Sequence, residues 1–315
     1  MCIKKRDMKI VFLDASTLGA ASLEPIAALG ELVCYPYSSP AEALERVREA
    51  EVLIINKVKV TAALMDAAPR LKLICEAATG VNNIDLDAAA ERGIPVKNVA
   101  GYSTDSVVQQ TFALILNLLC RTASYDTYVK SGAYSASPIF TEVSRPFTEL
   151  AGKTMGIVGM GTIGQRVAAA AQAFGMKVIY FSTSGTSHCK DYPSVDIDTL
   201  MTSSDIVSIH APLNARTNGL IGARELALMR PSAIIINIGR GGIVNEQALA
   251  DAISGERIAG AGLDVFTSEP LPADNPLLHT THPERLSFTP HIGWASKEAL
   301  NRLVQGIARN ISESF

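Results

Sequence analysis

Cysteine is sparse and unpaired in this sequence. The five residues Cys2, Cys34, Cys75, Cys120 and Cys189 are scattered over 315 positions with no Cys-x-x-Cys spacing. That argues against a zinc site or a disulfide framework, and for a reducing compartment, the cytosol. Excess charge is also missing. Charged residues make up 19% of the chain, its net charge is −3, and no basic stripe offers a footprint for nucleic acid. No long hydrophobic run occurs either: stretches such as 111–120 fall far short of the ~20 residues that cross a bilayer. The opening MCIKKRDMKIVFLDAS has a basic cluster but no sustained apolar segment or small-residue cleavage site, so it is expected to be a tail entering a strand, not a signal peptide. Repeats and low-complexity tracts are absent. With 48% hydrophobic residues and a length beyond the ~100–200 residues of one domain, the chain reads as two globular domains.

Short β-branched runs alternate with helical patterns. In the first hundred residues the expected strands are 9–13, 31–35, 51–55, 71–75 and 95–98. Strands alternating with helices imply parallel βαβ units, because parallel neighbours need a crossover. Next, STDSVVQQTFALILNLLCRTASYDTYVK reads as one long helix over 103–130, with Ser103 or Thr104 at its N-cap. A loop rich in Ser, Pro and aromatics precedes a second series of six strands, at 154–158, 177–181, 205–209, 233–238, 258–264 and 285–289. Six strands match a complete dinucleotide-binding domain. The last stretch, ASKEALNRLVQGIARNISESF, is an amphipathic helix with no strand to serve, and it is expected to return to the first domain.

The run Gly159-Met160-Gly161-Thr162-Ile163-Gly164 closes the strand at 154–158. Ile163, Val167, Ala171 and Phe174 follow at helical spacing. A Gly-x-Gly-x-x-Gly run alone is a weak signal, but this strand–turn–helix context is what a dinucleotide pyrophosphate needs at a helix N-terminus. The rival phosphate loop at Gly152-Lys153-Thr154 fails, since its first glycine is replaced by Phe147 and its lysine precedes the strand. The acid expected ~20 residues beyond the fingerprint, which bonds the ribose of NAD, is also missing. Ser182-Thr183-Ser184-Gly185 stands there, and no carboxylate occurs between Glu149 and Asp191. The serines could bond NAD's ribose, or with Lys190 they could hold a 2′-phosphate. With no arginine in the loop, the coenzyme reads as NAD with NADP possible.

Three polar residues follow predicted strands of the second series, at the strand ends where open α/β sheets bind ligands. Arg240, in NIGRGGIVNE, offers a planar fork suited to a carboxylate. Its bland alternative is a structural ion pair. Glu269 lies in FTSEP and His291 in TPHIGW. A histidine is the usual acid–base near neutral pH, and an adjacent carboxylate orients it. Singly, the first could be a solvated turn residue and the second a satisfied loop histidine. His188, His279 and His282 lie in polar loops. The spacing of the last two is too small a constellation for a metal, and none is expected. His210 reads as packing near the cofactor.

The segments GMGTIG, NIGRGGIVNEQAL, GLDVFTSEPLP and FTPHIGWAS, with ATGVNNIDLDAAAERGIPVKNVAGYSTDSV before them, resemble the D-2-hydroxyacid dehydrogenase family in order and over nearly the whole chain. VAGYSTDSVVQQTFAL and Trp294 are most similar to its glycerate dehydrogenases, also called hydroxypyruvate reductases. The resemblance implies two Rossmann-like or flavodoxin-like α/β domains with parallel sheets. The cofactor domain, 102–288, would be inserted into a discontinuous substrate domain, 1–101 plus 289–315. It implies that Arg240 grips the substrate carboxylate and carbonyl, that His291 donates or accepts the proton, and that Glu269 orients it. The backbone of Thr79, Gly80 and Val81 would bind the carboxylate from the substrate domain. Gly159, Gly161, Thr162, Ile163 and Gly164 would meet the pyrophosphate and Ser182 the ribose. His210, Ala211, Pro212 and Ile238 would line the rest of the cofactor site, with Asp264 near the nicotinamide. Two departures stand out: Ser182 replaces the frequent acid, and Gln110 stands where histidine is common.

The implied reaction is reversible hydride transfer between the nicotinamide and C2 of a small 2-oxo acid. Hydroxypyruvate or glyoxylate would give D-glycerate or glycolate, in a cytoplasmic homodimer that uses the long helix. One alternative is D-3-phosphoglycerate dehydrogenase of serine synthesis, against which stands the lack of a regulatory extension after Phe315. Another, from a different class, is a nucleotide-sensing, corepressor-like binding protein without turnover.

Overall fold

The computed structural model describes residues 8–187 and 189–315. Cys2, the basic cluster of the tail and His188 lie outside the described residues. The chain divides into two compact units, Met1–Ser103 with Trp294–Phe315, and Thr104–Gly293.

The first unit is built on β1 (Lys9–Phe12), β2 (Glu31–Cys34), β3 (Val52–Ile55), β4 (Leu73–Glu76) and β5 (Val96–Lys97), all parallel in the order β2-β1-β3-β4-β5. Strand residues alternate between two cores, as a period of two requires. Ile10, Phe12, Val52, Ile54, Leu73 and Cys75 face one side. There they meet Leu303, Val304, Ile307 and Ile311 of the helix Lys297–Ser312. Val11, Leu13, Leu53, Ile55 and Ile74 face the other. The terminal helix therefore has a sheet to cover after all. Ser296 caps it by accepting from the Ala299 N–H. Gly306 lets it approach, since a Cβ there would come 2.4 Å from Val99.

The second unit holds β6 (Thr154–Val158), β7 (Lys177–Phe181), β8 (Ile206–Ile209), β9 (Ile234–Asn237), β10 (Gly260–Leu263) and β11 (Leu286–Phe288), again parallel, in the order β11-β10-β9-β8-β6-β7. The order reverses beside β6, so the crevice where such sheets take ligands opens at that strand's carboxyl end. β10 is unusually bare of side chains. A Cβ at Gly262 would lie 2.8 Å from Ile236 and 3.1 Å from Leu114, so glycine there lets the helix Thr104–Cys120 sit close to the sheet.

Two expectations need correction. The helix read over 103–130 is two helices, Thr104–Cys120 and Thr122–Lys130, divided at Arg121 with φ 54°. The Asn117 Oδ1 accepts from the Thr122 hydroxyl at 2.9 Å and from the Ala123 N–H at 3.3 Å, starting a new helix that buries no side chain. The return to the first unit falls between Gly293 and Trp294, not before residue 289. Residues 289–293 stay with the second unit because Asp264 holds them, as described below.

In the first unit Glu76 is fully buried. Its Oε2 accepts from Asn83 Nδ2 at 3.0 Å, and its Oε1 has no partner among the described residues. Burial, with the nearby Asp14 carboxylate adding to it, pushes the Glu76 carboxyl up to about 8. A folded pKa above the unfolded value of 4.5 means that this group's contribution to stability is complete below about pH 4.5 and is lost as pH rises through about 8. Glu76→Gln is therefore expected to flatten the fall in melting temperature across that window. Parallel melting curves against pH for the two proteins would contradict it.

Candidate active site

The fingerprint glycines do three different jobs. Gly159 has φ +95°, and a Cβ there would lie 3.0 Å from Ala211, so the turn passes tightly against the end of β8. Gly164 lies against the strand it follows, with its Cβ position 2.3 Å from the Gly159 carbonyl. Gly161 faces open space, with no atom within 4 Å of its Cβ position. It is the N-cap of the helix Thr162–Ala173 and provides no side-chain cap. By contrast, Ser39, Thr61, Asp85, Asp196, Asn245 and Ser296 each cap their helix with a side chain. The first bond of the fingerprint helix runs from the Gln165 N–H to the Gly161 carbonyl, leaving the N–H groups of Thr162, Ile163 and Gly164 to an outside acceptor. Open space over a glycine and uncapped donors at a helix N-terminus fit a pyrophosphate. Of the apolar residues expected on this helix, Val167 and Ala171 are fully buried, whereas Phe174 is exposed and stacks on Phe112 at 5.2 Å.

Ser182 follows β7, whose Phe181 carbonyl accepts from the Gly159 N–H at 3.0 Å. On the other flank Ala211 and Pro212 follow β8. His210 Nε2 pairs with the Ser208 hydroxyl at 2.8 Å, while its Nδ1 has no partner among the described residues. Enclosure pushes this imidazole down to about 3, so it is neutral. Ile238 extends from β9 and is buried.

β6 and β9 are separated by β8 alone, about 10 Å across two strand spacings. Arg240, expected from the sequence, therefore stands on the same sheet edge as the phosphate cradle. Asn237 fixes its loop: Nδ2 donates to the Arg240 carbonyl at 2.9 Å, and Oδ1 accepts from the Gly239 N–H at 3.1 Å. The Arg240 guanidinium donates to the Gly239 carbonyl at 2.8 Å. A Cβ at Gly241 would fall 1.9 Å from the Phe266 carbonyl, so only glycine lets this loop lie against the one carrying Glu269. Sequence reasoning missed Asn237; its one signal is a polar residue ending an otherwise apolar strand.

Glu269 and His291, 22 residues apart, meet. The Nδ1 of His291 lies 2.7 Å from Glu269 Oε2, and Glu269 Oε1 accepts from the Phe266 N–H at 3.0 Å. A carboxylate on Nδ1 selects the tautomer with its proton there and leaves Nε2 to work on a substrate. His291 has a left-handed backbone, φ 55°. Asp264 holds that conformation. Its Oδ1 accepts from the Thr289 hydroxyl at 2.5 Å and the Ile292 N–H at 2.9 Å, and its Oδ2 from the Gly293 N–H at 2.8 Å. Burial raises the Asp264 pKa, opposed by these donors and by the charge of His291. Asp264, expected beside the nicotinamide, thus turns both oxygens to the histidine loop. Gln110 also gains a physical account, because its Nε2 donates to the Thr289 hydroxyl at 3.2 Å and extends the same chain.

In the first unit, Thr79, Gly80 and Val81 follow β4. Asn98 Nδ2 donates to the Thr79 carbonyl at 2.5 Å, and the Thr79 hydroxyl donates to the Val99 carbonyl at 3.2 Å. The backbone N–H groups of these three residues donate to no acceptor among the described residues. Trp294 begins this unit's second segment, with the Lys57 ammonium 5.5 Å from its ring centroid. His279 and His282 stand elsewhere, on the Ala273 carbonyl and beside Glu284.

A glycine cradle for a pyrophosphate, with an arginine and a carboxylate-oriented histidine on the same sheet edge, defines the class: a dinucleotide-dependent oxidoreductase of carboxylate-bearing substrates. The profile of the D-isomer specific 2-hydroxyacid dehydrogenase NAD binding domain matches residues 112–293. A glycerate dehydrogenase of Methylorubrum extorquens is 38% identical, over 98% of this chain and 96% of its own length. A hydroxypyruvate reductase of Blautia hydrogenotrophica is 35% identical, over 97% and 96%. A crystal structure from Thermus thermophilus superposes with a TM-score of 0.87 at 33% identity, covering 98% of this chain and 96% of that one. The chain belongs to the D-isomer specific 2-hydroxyacid dehydrogenase family.

Asp264→Ala removes three acceptor contacts and leaves two backbone N–H groups unpaired, at about 1–3 kcal/mol each. The expected result is a melting temperature lower by several degrees together with a large fall in kcat. Unchanged turnover would mean that the 289–293 loop holds itself.

Proposed function

We propose that this protein reduces hydroxypyruvate and glyoxylate to D-glycerate and glycolate, reversibly, with NAD(P)H. The observation that carries the reading is the 2.7 Å contact between His291 Nδ1 and Glu269 Oε2, on the same sheet edge as Arg240 and the glycine cradle. The small substrate is supported by the names of the two full-length relatives.

When bound, the dinucleotide supplies a hydride donor or acceptor for substrate C2. The chain's own residues do the rest. Arg240 holds the substrate carboxylate and the carbonyl oxygen in its planar fork and stabilises the negative charge that grows there. Nε2 of the imidazolium gives that oxygen its proton, and in the reverse direction takes it back. Glu269 keeps the ring aligned and stabilises its charged form. The N–H groups of Thr79, Gly80 and Val81, which have no acceptor among the described residues, are suited to the substrate carboxylate. Thr162, Ile163 and Gly164 would receive the pyrophosphate, with Ser182 at the ribose and Ala211, Ile238 and Asp264 around the remainder.

We further propose a homodimer. Val129, Ile139, Phe140, Val143 and Phe147 are 51–90% exposed on the segment after the helix break, more apolar surface than an isolated monomer tolerates in one stretch. Cytoplasmic residence fits the four described cysteines, all of them free. No helix among the described residues is long and apolar enough to cross a membrane.

Glyoxylate, hydroxypyruvate, pyruvate and phosphohydroxypyruvate assayed with NADH and NADPH test the substrate. Hydroxypyruvate and glyoxylate should give the highest kcat/KM. A preference for phosphohydroxypyruvate would favour the phosphoglycerate reading, and no turnover of any would favour a binding protein. His291→Gln should lower kcat on the order of 10²–10⁴-fold, and Arg240→Ala should raise KM and lower kcat together. Phe140→Asp should shift the light-scattering mass from dimer to monomer; a wild-type monomer would refute the assembly.

A further inference from the structure

The loop that closes β7 and the loop that leaves β8 flank the same glycine, Gly159, through the Phe181 carbonyl on one side and Ala211 on the other. They also meet each other. Arg216, 32 residues beyond Ser184, donates from its guanidinium to the Ser184 carbonyl at 2.8 Å. A Cβ at Gly185 would lie 3.6 Å from the same nitrogen. Among the described residues Arg216 pairs with no carboxylate. Its backbone is held in place: Asn214 Oδ1 accepts from the Arg216 N–H at 2.9 Å, and the fully buried Thr217 donates to the Pro212 carbonyl at 2.6 Å.

Two serine hydroxyls lie beside it. Ser182 and Ser184 Oγ are 3.1 Å apart, and both donate to the Thr186 carbonyl, at 2.6 and 3.0 Å. The loop thus presents hydroxyls and a guanidinium where a dinucleotide places its adenosine ribose, one strand from the pyrophosphate cradle. An acid at this position bonds the 2′-hydroxyl of NAD and repels a phosphate, whereas a nearby arginine accommodates the 2′-phosphate of NADP. This chain has no acid between Glu149 and Asp191, and its arginine comes from a different loop.

We infer that Ser182, Ser184 and Arg216 form a 2′-phosphate subsite, that Arg216 is its specificity-determining residue, and that the protein prefers NADPH to NADH. The inference rests on the dinucleotide site proposed above. One guanidinium nitrogen is anchored to the Ser184 carbonyl, which leaves donors on the remaining edge for the dianion. Serine hydroxyls can rotate from the Thr186 carbonyl to donate to a phosphate oxygen. Charge-assisted bonds of this kind correspond to roughly 10–100-fold in affinity.

Calorimetric titration of the full chain with NADPH, NADH and 2′,5′-ADP tests this without reference to turnover. NADPH is expected to bind at least about 10-fold more tightly than NADH, and 2′,5′-ADP should compete with it. Arg216→Ala should weaken NADPH and 2′,5′-ADP roughly 10–100-fold while moving NADH by less than about threefold; Arg216→Lys should recover part of the NADPH loss. Equal or tighter NADH binding by the wild type would overturn the inference. So would an Arg216→Ala variant that weakens both coenzymes alike, because the arginine would then be a tether for the loop. Binding of neither coenzyme would overturn the dinucleotide site itself and this subsite with it.

Discussion

A carboxylate with almost no access to water organises the chemistry of the second unit. Asp264 is 1% exposed, and a buried charge is tolerated only when hydrogen bonds replace its lost solvation. The donors come from one short segment: a hydroxyl at Thr289 and backbone N–H groups at Ile292 and Gly293. Satisfying Asp264 therefore folds residues 289–293 around it and turns His291 through a left-handed backbone toward Glu269. Glycines stand where the loops must touch. Gly293 has its Cβ position within 3 Å of Ile238 and Asp264, and Gly241 is pressed on Phe266. The Arg240, Glu269 and His291 loops are thus fixed against one another by one charge and two missing side chains. Gln110 reaches this assembly from the helix Thr104–Cys120 through Thr289, so a residue far from the chemistry in sequence takes part in its support.

Most of the architecture was legible because the central strands of both sheets are buried on both faces. Most strands appear as apolar runs rich in Val and Ile, and ten of the eleven observed strands lie wholly within the span read from sequence; only β4 runs one residue past it, to Glu76. The site was legible for a related reason: Arg240, Glu269 and His291 each follow such a run, at the edge where parallel strands all end. What escaped depended on contacts the local sequence does not carry. The division at Arg121 is produced by the Asn117 side chain reaching forward, within a stretch whose apolar periodicity continues without interruption. The domain return was read five residues early, because the hydrogen bonds that tie 289–293 to Asp264 leave no periodic trace. Arg216 escaped since its partner lies 32 residues away on another loop.

The charges of the second unit form a consistent pattern. Substrates of this family and dinucleotides are both anionic, so a carboxylate left open on the ligand edge would oppose each of them. The two acids closest to the chemistry are not left open. Asp264 is enclosed by its donors, and Glu269 is engaged by the Phe266 N–H and the imidazole of His291. The acid that commonly follows β7 is missing altogether. The edge offers anions the uncapped N–H groups that begin the helix Thr162–Ala173, a guanidinium at each of two loops, and serine hydroxyls. His210 obeys the same economy from the other direction, since enclosure keeps it uncharged next to the cradle and leaves anion recognition to groups that need no protonation. Among the histidines of the described residues on this edge, His291 is the one with a carboxylate on its Nδ1, the arrangement that suits an imidazole to proton transfer.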